Sequence, residues 1–101
     1  LSLTSYFLYY VLTLEVDGAK TFYGKAGGLG SPGTGDFSGE FFFAVNDINI
    51  IYQKATIFAA IITPLTISVG FIDSHLDKLA QFNGTGVGTI SATISGGGYW
   101  E

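Results

Sequence analysis

The chain has 101 residues, eight acidic residues, four lysines, no arginine and no cysteine, for a net charge of −4. This balance excludes the clustered cations that nucleic acid or an anionic lipid surface would need, and it excludes disulfides, thiol chemistry and cysteine-based zinc sites. Hydrophobic residues make up 48% and charged residues 12%, so a single 1–101 domain either turns apolar surface toward a membrane, a second subunit or a ligand, or covers itself with uncharged Gly, Ser, Thr and Tyr.

Residues 3–16 form a run of Leu, Tyr, Thr and Val that reads as one strand ending at Asp17-Gly18, a strong hairpin signal because both residues tolerate positive φ. The return strand is expected over 20–26, with Phe22 on one face and Thr21 and Tyr23 on the other. Segment 23–40, YGKAGGLGSPGTGDFSGE, then concentrates seven of the fifteen glycines beside Pro32. Such a density breaks a helix and weakens a strand interior, so bends, bulges and turns are expected there, forming a barrel corner. A third strand is predicted over 36–45, and its Phe41-Phe42-Phe43 run predicts apolar neighbours on both faces.

Asn46-Asp47 reads as a helix start. Ile48, Ile51 and Tyr52 follow at helical spacing, giving one short α-helix near residues 47–54 that plugs a barrel end. Residues 55–72, ATIFAAIITPLTISVGFI, are uncharged and barely long enough for a membrane-spanning helix. Their Thr, Ile and Val content and Pro64 favour two strands, 56–62 and 65–72, joined by a tight connection. A polar link over 73–77 leads to strands at 78–83 and 87–95, and Gly96-Gly97-Gly98 leads to a terminal Tyr99-Trp100. Within 89–95, Thr and Ser alternate with Ile90, Ala92 and Ile94 as in a half-buried strand. Asn83-Gly84-Thr85 matches a glycosylation sequon in form and reads as a turn. The whole predicts an all-β fold: a small, closed or nearly closed antiparallel barrel of seven or eight strands with one short helix, filled by its own side chains.

No catalytic or cofactor constellation emerges. Gly28, Gly30 and Gly33 spell G-x-G-x-x-G, but no helix can follow Gly33, so the fingerprint lacks the helix N-terminus that would hold a pyrophosphate; no nucleotide is expected. His75 has no nucleophile motif around any serine and reads as a solvated loop imidazole. Asp73, His75 and Asp77 offer a divalent cation few oxygens, and no metal site is assigned. Asp36 and Glu40, four apart on one strand face, would stand about 13 Å apart, too far for a paired acid and base.

The stretches FYGKAGGLGSPGTGDFSGEFF, NDINIIYQKATIF, LTISVGFID and LAQFNGTGVGTISATISGGGYW together resemble the virulence-associated protein (Vap) family of intracellular actinobacterial pathogens and its bacterial relatives. The family's motif places are taken by Phe22–Gly28, Asp47–Tyr52, Thr56–Phe58, Phe71–Asp73 and Gly96–Trp100, and the likeness as a whole runs from about Thr21 to Trp100, four fifths of the chain. Ile72 stands where the family pattern has a second Phe. The resemblance implies a secreted or cell-surface, eight-stranded Greek-key barrel that acts at host membranes or the phagosomal compartment without a catalytic site or cofactor. It names no binding residue. The expected function is non-enzymatic host interaction, with membrane lipid or a host protein as partner and Tyr6, Tyr9 and Tyr10 as candidate exposed aromatics. A homo-oligomer through exposed apolar surface stays open, and the alternative is a small lectin-like or lipid-binding barrel.

Overall fold

The computed structural model describes residues 1–6 and 8–101; position 7, inside the first predicted run, lies outside that description. Eight strands and one helix are described: β1 Ser2–Tyr6, β2 Tyr9–Leu14, β3 Phe22–Gly30, β4 Gly33–Phe43, α1 Ile48–Lys54, β5 Ile57–Ile62, β6 Thr66–Ile72, β7 Lys78–Gly88 and β8 Ala92–Trp100. They close into an antiparallel barrel in the order β1-β2-β3-β8-β5-β6-β7-β4. Within it, β4-β1-β2-β3 and β8-β5-β6-β7 each show the 4-1-2-3 order of a Greek key. Closure leaves no open sheet edge to recruit a foreign strand.

Inward positions follow the two-residue period. Phe22 and Ala26 on β3, Phe58 and Ala60 on β5, Val69 and Phe71 on β6, and Ile94 on β8 are all buried. Tyr23 and Lys25 face outward, as the alternation at Phe22 predicts. At one end Phe22, Phe71 and Trp100 form a ring cluster with centroids 5.0–5.7 Å apart, favourable edge-to-face and tilted geometry. Helix α1 covers that end as expected. Asp47 Oδ1 accepts the Asn49 backbone N–H at 3.0 Å, Ile51 is fully buried, and Tyr52 lies against Trp100. The Trp100 indole N–H donates to the Ala55 carbonyl at 3.0 Å, tying the last strand to the helix exit.

Several boundaries differ from expectation. The run 3–16 is two strands, with Tyr6 paired to Tyr9 across a first hairpin. Asp17-Gly18 does lie in a turn, with Gly18 at φ +73°, but the connection from Leu14 to Phe22 spans residues 15–21. The glycine segment is the largest correction: apart from Ser31 and Pro32, residues 23–40 are strand. Asn83-Gly84-Thr85, expected as a turn, lies inside β7, and Gly96-Gly97-Gly98, left out of the expected strand ending at 95, continues β8 to Trp100. The physical reason is close strand approach in a tightly coiled sheet. A Cβ at Gly96 or Gly98 would run into the Lys25 or Tyr23 carbonyl of the facing strand. The predicted strand 87–95 is likewise interrupted: Thr89 to Ser91 form a connection whose Ile90 drops fully into the core. Finally, Phe41 packs inward on Phe71 and Trp100, whereas Phe42 and Phe43 are 52% and 45% exposed. Phe42 points to the outer sheet face, which no second layer covers among the described residues, and Phe43, on the Phe41 side of the strand, is left half exposed where β4 ends.

Candidate functional site

Four connections share the end opposite α1: the β1–β2 tip, residues 31–32, residues 63–65 and residues 89–91. Two of them run side by side across the barrel mouth. The Ser31 N–H donates to the Ser91 carbonyl at 3.1 Å, and the Thr89 N–H donates to the Thr34 carbonyl at 2.8 Å. Ile90 seals the interior beneath them. With α1 over the other mouth, both ends are closed, and buried aliphatic and aromatic side chains fill the space between.

The polar groups of this hairpin end are largely turned onto one another. Ser31 Oγ donates to the Thr89 carbonyl and accepts the Ser91 N–H, while Thr89 Oγ1 accepts the Thr34 N–H. Thr63 Oγ1 accepts the Leu65 and Thr66 N–H groups at 3.3 and 2.9 Å. What projects outward is apolar or aromatic: Leu8, Leu29, Ile61 and Leu65 are exposed, and Tyr6 stacks on Tyr9 at 5.4 Å. Tyr6 and Tyr9 thus prove exposed, whereas Tyr10 is buried with its hydroxyl reaching the Ser31 carbonyl. On the side of the barrel a groove of about 800 Å³ opens between Ser2, Thr13, Asp36, Ser38 and Thr85, with Leu65 at its border.

The residues singled out by sequence motifs are scattered. Gly28 and Gly30 belong to β3 and Gly33 opens β4, so no helix follows the G-x-G-x-x-G. Asp73 Oδ1 accepts the N–H groups of His75 and Asp77 at 2.8 and 3.0 Å, which commits that carboxylate to shaping the turn. Among the described residues no three His, Asp or Glu side chains gather as metal ligands. Asp36 and Glu40 both face out from β4 but open onto different hollows. Asn83 Oδ1 accepts from Gln81 and Ser68 on the outer sheet face. Leu8, Leu29 and Leu65 were not singled out by the sequence reading. The available signal was an exposed-looking leucine inside turn punctuation, as in Gly28-Leu29-Gly30 and Pro64-Leu65.

These features define a class: a small closed Greek-key barrel, packed inside and sealed at both ends. Solved structures of the same shape are virulence-associated proteins of the intracellular pathogen Rhodococcus equi. VapD is 28% identical with a TM-score of 0.89, over 99% of this chain and 91% of that one. VapB is 25% identical with a TM-score of 0.83, over 99% and 90%. No curated protein matches. The family model for the Rhodococcus equi virulence-associated protein matches residues 1–101, and the chain belongs to that family.

Proposed function

We propose that this virulence-associated barrel is a secreted or surface-held, non-enzymatic host-interaction protein that acts on a membrane or a host factor. The closure of both ends over a filled core carries the reading, because recognition is then left to the outer surface. The family's association with virulence supports an extracellular place of action. The non-enzymatic reading is supported by His75, which sits in a turn where the neighbouring Asp73 carboxylate already accepts two backbone N–H groups. Co-sedimentation with lipid vesicles, pull-down from host-cell extract and a glycan array test it together. Binding to vesicles or to a host protein is the expected outcome; binding to a glycan alone would overturn it. That lectin-like alternative is favoured by one observation, the groove holding Asp36, where the Ser2, Thr13, Ser38 and Thr85 hydroxyls stand beside apolar Leu1, Phe37 and Val87, a mixed lining of the kind that can hold a sugar's hydroxyl and C–H faces.

A further inference from the structure

Charge is distributed unevenly along the barrel. None of the four connections at the hairpin end contains a charged residue, whereas the α1 end carries Glu15, Asp17, Asp47, Asp73 and Asp77 among others. The remaining charges nearest the hairpin end are mid-strand, at Lys25 and Asp36. Large apolar side chains are exposed at both ends, but only the hairpin end presents them without charged neighbours in its connections. Leu8, Leu29 and Leu65 are 83%, 88% and 66% exposed there. Leu8 and Leu65 stand on hairpins flanking the pair of crossing connections, so the apolar tips span that end.

We infer that this hairpin end is a lipid-docking surface, which the barrel lays into the interfacial zone of a bilayer with zwitterionic headgroups of no net charge. This rests on the membrane branch of the function proposed above. Three features fit that partner. The Ser31, Thr63 and Thr89 hydroxyls and the backbone groups they hold are already hydrogen-bonded within the protein, which lowers the cost of leaving water. The stacked Tyr6 and Tyr9 form an amphipathic rim suited to the headgroup level, and Lys25, 5.6 Å from the Tyr9 ring centroid, lies on the water side of that rim. The absence of cations at the tips, with net negative charge on the rest of the molecule, selects against anionic lipid.

The test is vesicle co-sedimentation with purified protein, using phosphatidylcholine vesicles and phosphatidylcholine vesicles doped with phosphatidylglycerol, at low and high salt. Leu8→Asp and Leu65→Asp are compared with Leu76→Asp, an exposed leucine at the opposite end, and circular dichroism confirms that all are folded. Wild type is expected to bind neutral vesicles independently of salt, with about tenfold weaker binding for each hairpin-end variant and no loss for Leu76→Asp. Vesicle binding that survives Leu8→Asp and Leu65→Asp, or that needs anionic lipid and falls with salt, overturns the docking surface while leaving the membrane reading in place. No vesicle binding by wild type overturns the membrane reading itself. A dimer that Leu8→Asp dissociates, seen by light scattering without any lipid binding, assigns the same end to a second copy of the chain and overturns the inference.

Discussion

Gly24 and Gly27 lie three residues apart in β3, and alanine at the two positions is expected to act in opposite directions. Gly24 faces the barrel interior, where a Cβ would stand 2.6 Å from Phe58 Cε1 and 2.8 Å from Phe22 Cε2. Comfortable carbon contacts lie near 3.5 Å or beyond, so the rings must give way by roughly 1 Å. Both rings are fully buried and locked edge-to-face, with centroids 5.6 Å apart. Overpacking of this kind costs about 1–3 kcal/mol, partly offset by a gain of about 0.4–1 kcal/mol from a less flexible unfolded chain. The net expectation for Gly24→Ala is a loss of about 1–2 kcal/mol, or a drop in Tm on the order of 5–15 °C for a domain of this size. At Gly27 a Cβ meets no heavy atom within 4 Å, so only the unfolded-state gain operates and Gly27→Ala stabilises by about 0.5 kcal/mol. Urea unfolding followed by fluorescence of Trp100, the single tryptophan, measures both. Equal or higher stability for Gly24→Ala, or a loss at Gly27→Ala as large as that predicted for Gly24→Ala, would refute the assignment of these glycines to inner and outer faces.

Trp100→Phe removes the indole N–H that serves the Ala55 carbonyl, a bond formed by a buried side chain, and should cost about 1–3 kcal/mol in urea unfolding followed by circular dichroism. Asp47→Ala strips the cap from α1 and is expected to lower stability by about 1 kcal/mol, with Asp47→Asn retaining most of it. Asp73→Ala frees the N–H groups of His75 and Asp77, so amide hydrogen exchange in the 73–77 turn should accelerate while strand amides stay protected. Because Asp73 shapes that turn through backbone hydrogen bonds, added calcium followed by chelator is expected to leave Tm unmoved; a calcium-dependent rise would show an unrecognised site.

Much of the barrel could be read locally. The alternation around Phe22, the Asp47 cap with Ile51 and Tyr52 in register, and the Pro64 break between β5 and β6 each depend on neighbours within a few residues. The glycine-rich stretches failed for the opposite reason. Gly96 and Gly98 look like turn formers in one dimension, but they are needed because β3 passes too close for a Cβ. Phe42 misled similarly: three consecutive aromatics signal two buried faces only if a second layer exists, and among the described residues none lies outside the barrel. The candidate docking surface was less legible still. Leu8, Leu29 and Leu65 are far apart in sequence, and nothing local says that their tips share an end.

By itself the sequence determined the β-rich class, the one short helix, the missing catalytic chemistry of thiols and cationic patches, and a likeness to the virulence-associated family. These rest on residue type and short-range period, which the chain carries wherever it goes. Tertiary structure decided the strand order, the role of the glycines as points of close approach and the gathering of charge away from the hairpin end. Each of those depends on which distant segments become neighbours when eight strands coil tightly enough to close.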